Sequence, residues 1–246
     1  MKVAIVGGGA AGFFAGLSVK KHHSNADVFI LEKSSKLLSK VKISGGGRCN
    51  VTHACFKASQ LAKYYPRGSK ELKKAFSVFN VNHTIAWFKE RGVDLKRESD
   101  NRMFPVTNTS NTIINCFLDE ARKHNLKIQK DTFVTRIAQE KRQVKLTIDG
   151  FDHLYDKVII ASGGTPKLEG LDWMKKIGHS IVSPLPSLFT FNMPNEGITA
   201  LQGLSVKNVI IRVQGTKLVQ EGPLLITHWG MSGPSVLKTS AWGARD

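Results

Sequence analysis

The run Val3-Ala4-Ile5-Val6-Gly7-Gly8-Gly9-Ala10-Ala11-Gly12 constrains this chain more than any other part of it. Lys2 to Val6 reads as a short buried strand and Ala10 to His22 as a helix, so the G-x-G-x-x-G spacing falls at a strand-to-helix turn. Each glycine has its own physical reason. Gly7 permits the tight turn, Gly9 lets backbone approach a pyrophosphate, and Gly12 permits close packing of helix on strand; the helix N-terminus adds free N–H donors and a favourable dipole. Gly16 carries the small face one turn further. A second strand, Asp27 to Leu31, ends at Glu32, twenty residues beyond Gly12, where a carboxylate accepts hydrogen bonds from ribose hydroxyls and repels a 2′-phosphate. This β-α-β unit predicts an α/β, Rossmann-like dinucleotide-binding domain.

The 246 residues suffice for one large core or two modest ones, and 41 % apolar with 22 % charged residues is ordinary for a folded chain. The formal charge of +17 is not ordinary. Such a field attracts nucleic acid, anionic lipid or anionic small molecules, and its sign alone does not choose among them. Because Lys20-Lys21, Lys73-Lys74, Lys141-Arg142 and Lys175-Lys176 are dispersed, solvated helix and loop faces are the simpler expectation, and nucleic acid is not an expected partner. Cys49, Cys55 and Cys116 are too few and too irregular for a disulfide framework, which fits a reducing cytoplasm. Val3 to Val19 is uncharged but short and glycine-rich, with a strand after it, so neither a signal peptide nor a membrane span is expected.

Further along, a glycine-rich loop around Ser44 to Asn50 precedes a mostly helical stretch, with Ser69, Asn82 and Thr109 as capping candidates. Ile113, Ile114, Phe117, Leu118 and Ala121 form one apolar helix face, read as core. From Leu126 the pattern turns to strands: Phe133 to Ala138 and Gln143 to Ile148 predict a hairpin, and Val158 to Ala161 a buried strand. Ser183-Pro184-Leu185-Pro186 marks a crossing into another domain, since its prolines cannot continue a helix or central strand. Lys207 to Val213 and Lys217 to Val219 predict a hairpin around Gly215.

The first glycine turn does not separate FAD from NAD, which share their ADP half. The segment from Lys36 to Asn50 adds Gly45-Gly46-Gly47 and Arg48, able to wrap a phosphate-bearing ligand, though alone it is equally a flexible basic loop. The loop Ser44-Gly45-Gly46-Gly47-Arg48-Cys49-Asn50 resembles the signature of the YhiN/BaiN-like flavoproteins, described as NAD(P)/FAD-dependent oxidoreductases or aminoacetone-oxidase-family FAD-binding enzymes. Ala161-Ser162-Gly163-Gly164 is similar to that family's Ala-Thr-Gly-Gly, and Thr227-His228-Trp229-Gly230-Met231-Ser232-Gly233-Pro234 to its Thr-His-x-Gly-x-Ser-Gly-Pro.

The resemblance spans the whole chain. It implies an FAD-binding Rossmann-like domain over 1–184 and the first part of an inserted β-rich domain over 185–246. Family members return from the insertion to a C-terminal segment beside the isoalloxazine; the resemblance implies that 1–246 lacks this return, making the flavin domain incomplete. By the same resemblance Ala11, Lys33, Lys40 and Arg48 join Gly7, Gly9, Gly12 and Glu32 as candidate FAD contacts. Gly46, Gly47, Cys49 and Asn50 of the loop, Val134 against the adenine and Gly163 near the dinucleotide complete the expected set. Cys49 has no resolving partner at a redox spacing, so packing is its expected role; His228 reads as a proton donor or a turn residue. No metal-ligand cluster is legible, and no catalytic residue is named.

Three functions follow. The leading one is an FAD-dependent oxidoreductase of unknown small-molecule substrate; no second strand-turn-helix fingerprint supports a built-in NAD(P) domain, and NAD(P)H as an external donor stays open. The second is a flavin-containing RNA-binding or RNA-modifying protein, motivated by the charge. The third is an inactive truncated product that keeps only the ADP-binding half.

Overall fold

The computed structural model describes residues 1–165 and 167–244, which divide into two compact units. The first comprises Met1–Thr165 and Glu169–Ile181, the second 167–168 and 182–244.

The first unit begins with β1 (Lys2–Val6), α1 (Ala10–His22), β2 (Asp27–Leu31) and α2 (Ser39–Gly47). It continues through β3 (Thr52–His53), α3 (Ala58–Leu61), α4 (Ser69–Val78), α5 (Val81–Lys89), β4 (Leu95–Arg97), β5 (Arg102–Pro105) and α6 (Ser110–Lys123). It closes with β6 (Lys127–Gln129), β7 (Val134–Glu140), β8 (Gln143–Ile148), β9 (Phe151–Tyr155), β10 (Lys157–Ile160) and α7 (Asp172–Lys176). The second unit holds β11 (Phe191–Asn192), β12 (Ser205–Arg212), β13 (Val219–Thr227), β14 (Gly230–Ser232) and α8 (Pro234–Gly243).

The framework is a four-stranded parallel sheet in the order β10-β1-β2-β6. A parallel sheet must be covered on both faces, and side-chain alternation sorts the coverage. Val3, Ile5, Val28 and Ile30 point to one face and pack with Phe13 and Leu17 of α1 and Ile113 and Phe117 of α6. Ala4 and Leu31 point to the other, where Ile137, Leu146, Ile148 and Tyr155 of the antiparallel sheet β7-β8-β9 cover them. The α/β Rossmann-like architecture expected from the first thirty residues is the one observed.

The expected hairpin is present as β7 and β8, paired from Val134↔Ile148 to Glu140↔Gln143. A third strand, β9, extends it beyond that expectation. Asp149 (φ 51°) and Gly150 (φ 84°) form the tight turn into it. Only Tyr155 of β9 is buried, so no alternation betrays the strand. The stretch after the glycine loop is mostly helical, as expected, but a small antiparallel sheet, β3-β5-β4, is threaded among its helices. Strands of two to four residues are too short to show a period.

Of the three capping candidates, Thr109 caps α6, its hydroxyl accepting the Asn111 N–H at 3.3 Å. Ser69 and Asn82 do not cap. α4 starts from Gly68 in left-handed backbone. α5 starts from Asn80, whose side chain accepts the Asn82 N–H at 3.0 Å while its own N–H donates to His83 Nδ1 at 3.1 Å. In the second unit the hairpin around Gly215 forms between β12 and β13, and β13 runs on to Thr227, well past the Val219 at which its apolar run was expected to end. Leu224 and Ile226 of β13 pack with Val236 of α8, a helix opened by Pro234.

Candidate dinucleotide site and glycine loop

The carboxyl ends of β1, β2 and β10 meet in one crevice, where open α/β sheets place their ligands. The Gly7 N–H donates to the Leu31 carbonyl at 2.8 Å, and the Ala161 N–H to that of Val6 at 2.8 Å, tying the three strand ends together. Gly7 adopts φ +118°, and a methyl group there would overlap the Ala161 carbonyl oxygen. A methyl on Gly12 would overlap the Gly7 carbonyl oxygen. Gly9 differs: a Cβ on it would meet no protein atom within 4 Å, so its backbone faces open space. Gly9 is also the N-cap of α1, whose first turn carries no acid and whose last turn carries Lys20, Lys21 and His22. With Ala10 and Ala11 exposed beside it, this helix end is electrostatically suited to an anion.

Glu32 stands immediately after β2. Its Oε2 accepts the Gly8 N–H at 2.8 Å; its Oε1 accepts the Ser34 N–H and lies 2.9 Å from the Ser34 hydroxyl. Burial pushes its carboxyl up, but these hydrogen bonds outweigh burial and hold it below the ordinary glutamate value. An ionised carboxylate offers about four acceptor positions, so room remains for a ribose hydroxyl. The segment leading to Val134 lies alongside, because the Thr132 N–H donates to the Glu32 carbonyl at 2.8 Å and that of Asp131 to Ser34 at 3.3 Å. Lys33 is exposed next to Glu32.

From the other side, the Leu38 N–H donates to the Gly8 carbonyl at 2.9 Å and starts α2. Sequence pattern does not show this short helix, because its few residues include the β-branched Val41 and Ile43 and it depends on that tertiary bond. It presents exposed Lys40, whose Nζ lies 3.6 Å from where a Cβ on Gly163 would stand. Lys40, Gly163 and the Gly7 turn are thereby gathered at one place.

Past Ile43 the backbone leaves the helix: Gly45, Gly46 and Gly47 take φ +57°, +68° and +83°, and the Cys49 N–H closes the loop on the Ser44 carbonyl at 2.9 Å. Gly45 is packed, since a methyl there would come within 2.7 Å of the Phe104 ring; Gly46 and Gly47 face open space. Asn50 is exposed. The Arg48 guanidinium lies 4.0 Å from the centre of the Phe104 ring and 2.5 Å from Glu98 Oε1. Glu98 and Phe104 lie some fifty residues away, beyond the reach of a local motif. A cleft of about 520 Å³ joins the two glycine motifs, with Ala10, Ala11, Lys40, Ser44 and Cys49 on its wall and Phe14, Trp87 and Phe117 behind.

Cys49 is buried, and burial pushes its thiol up although the Ser44 hydroxyl hydrogen-bonds to it; Cys116 is pushed up to about 11 by burial. Cys55 is half-buried. Iodoacetamide at neutral pH is therefore expected to label Cys55 well before the other two, read by peptide mass spectrometry; faster labelling of Cys49 would contradict the packing assigned to it. His228, in the turn between β13 and β14, stacks edge-on against Trp229 at 4.5 Å.

The profile of the HI0933-like protein Rossmann domain matches residues 1–235. The chain belongs to the HI0933-like family. This HI0933-like chain is 24 % identical over 247 residues to a 3-dehydro-bile acid delta(4,6)-reductase of Clostridium scindens, covering 97 % of this chain and 59 % of that protein. It is 28 % identical over 252 residues to a ribosomal RNA dihydrouridine synthase of Escherichia coli, covering 97 % and 60 %. It thus spans about three fifths of the length of these relatives. Among solved structures, the open conformation of a flavocytochrome c3 fumarate reductase superposes with a TM-score of 0.57 at 16 % identity, over 84 % of this chain and 46 % of that one. That likeness is one of fold. Among the described residues, no helix is long and apolar enough to cross a membrane.

Proposed function

We propose that this HI0933-like chain binds FAD and serves an oxidoreductase, in the cytoplasm, with an external NAD(P)H as the reductant. The observation that carries the reading is the open space over Gly9 at the start of α1, with the hydrogen-bonded Glu32 carboxylate at the neighbouring strand end. That arrangement suits the ADP half of a dinucleotide: N–H donors of the first helical turn for the pyrophosphate, Glu32 for the ribose, and the backbone near Val134 for the adenine. Gly46, Gly47 and Asn50 offer exposed backbone and amide groups where the ligand continues along the cleft. Lys40 adds positive charge beside Gly163. Bound FAD would supply two-electron transfer, and the protein would orient donor and acceptor against it.

The test is direct. Purified protein is expected to carry or take up a yellow cofactor, identified after heat release as FAD; a colourless protein that leaves added FAD free in solution would sink the proposal.

A second reading concerns the substrate. The net charge of +17, taken with the ribosomal RNA dihydrouridine synthases of E. coli and of Haemophilus influenzae (27 % identical over 96 % of this chain), favours RNA over a small sterol-like molecule.

A further inference from the structure

We propose that residues 56–74 form a docking surface for single-stranded RNA; this rests on the RNA reading of the substrate and names the surface that would hold it. The segment contains Lys57, Lys63, Arg67, Lys70, Lys73 and Lys74 against a single acid, Glu71. Among the described residues the five lysines make no ion pair and are exposed. Elsewhere in the first unit Glu98 holds Arg48, Glu120 holds Arg91, Asp100 holds Arg102 and Asp27 holds Lys127. The five lysines thus remain a positive field, with Glu71 the one acid of the segment.

Aromatic rings are interleaved with that charge. Phe56 is 48 %, Tyr64 60 % and Tyr65 40 % exposed, although large rings are ordinarily withdrawn from water. Both tyrosines are braced: Tyr64 leans on His53 of β3 at 4.7 Å, and Tyr65 on Phe76 of α4 at 5.5 Å. Braced, exposed rings beside unpaired lysines are what unpaired bases stack on while their phosphates meet the cations; stacking tolerates any base. A lipid surface fits less well, because Phe76, the large ring of α4, packs toward Leu61, Val81 and Met103 and is not free to enter a bilayer. The surface also adjoins the proposed cofactor loop, since His53 follows Asn50 by three residues and β3 pairs with β5 next to Glu98 and Arg48.

The experiment is fluorescence anisotropy of a labelled 20-nucleotide oligouridylate across a KCl series, on the full chain. Three variants accompany the wild type: K70E/K73E/K74E in the patch, K130E/K207E/K217E as an equal change of charge elsewhere, and Tyr64→Ala. All positions are exposed, and circular dichroism and melting confirm folding. The patch triple is expected to lose at least tenfold in affinity and to reduce the salt slope by about 2, given about 0.7 per phosphate contact on a single strand. Tyr64→Ala is expected to lose at least about fivefold with the slope unchanged, and the control triple less than threefold. Equal losses in both triples, or no loss with Tyr64→Ala, would overturn the patch while leaving RNA as the substrate. No binding of the wild type at low salt, with FAD uptake intact, would overturn both. Displacement of the oligonucleotide by vesicles of 30 % phosphatidylserine at matched charge would reassign the surface to membrane.

Discussion

Gly12→Ala is expected to unfold or severely destabilise this protein, whereas Gly9→Ala leaves it folded and disables its crevice. The methyl of Gly12→Ala overlaps the Gly7 carbonyl oxygen, a backbone atom fixed between β1 and α1, and no side-chain rotation relieves it. Overpacking against backbone here is expected to cost at least about 3 kcal/mol. For a chain of this size that is a fall in melting temperature of roughly 6–12 °C, read by thermal denaturation. Gly9 has φ −90°, and a methyl there would have no protein atom within 4 Å, so the melting temperature of Gly9→Ala should hold. The same methyl would occupy the space through which a pyrophosphate approaches the helix N-terminus, and a 10- to 100-fold loss of dinucleotide affinity, about 1.4–2.7 kcal/mol, is expected. Equal melting losses in both variants would mean that the glycine turn serves only packing.

Glu32→Ala is expected to weaken dinucleotide binding about 100-fold or more. The change removes the acceptor proposed for the ribose and also strands the Gly8 and Ser34 N–H groups that Glu32 now satisfies. Because the site is partly solvated, the stability loss is expected to be smaller, about 1–2 kcal/mol. The pH dependence follows from the depressed carboxyl. A group whose folded value lies below its unfolded one stabilises the fold above the unfolded value, and that contribution is lost as pH falls through the folded value. Affinity attributed to Glu32 should therefore persist from neutral pH down through the ordinary glutamate range and decline only below it. Glu32→Gln should remove that acid limb. An unchanged acid limb would assign it to another group.

The crevice is legible in the sequence because its parts are local: ten residues contain strand, turn and helix start, and Glu32 follows at the end of the next strand. The apolar runs of β1, β2, β10 and α6 are equally legible, since burial on both faces makes each strand a continuous apolar run and burial on one face gives α6 a helical period. What escapes detection lies where tertiary structure overrides local pattern. α2 exists because Leu38 bonds to Gly8, and β3, β4 and β5 are too short for any period. β9 is nearly all exposed, and the Glu98 and Phe104 that hold Arg48 come from a distant hairpin. Arg48 reads as part of a loop able to wrap a phosphate-bearing ligand and, by resemblance, as an FAD contact; its ion pair and ring contact add a positioning that no local motif encodes. The Cys49 thiol, expected to pack, lies in the main core of the first unit.

A fluorescence titration of the protein with FAD, competed by ADP-ribose and by FMN, decides whether the Gly7–Gly12 turn and Glu32 hold an ADP-containing cofactor. FAD is expected to bind at one site per chain, ADP-ribose to displace it, and FMN, which lacks the ADP half, to leave it bound. FMN displacing FAD as well as ADP-ribose does, or FAD binding unaltered by Glu32→Ala, would contradict the account.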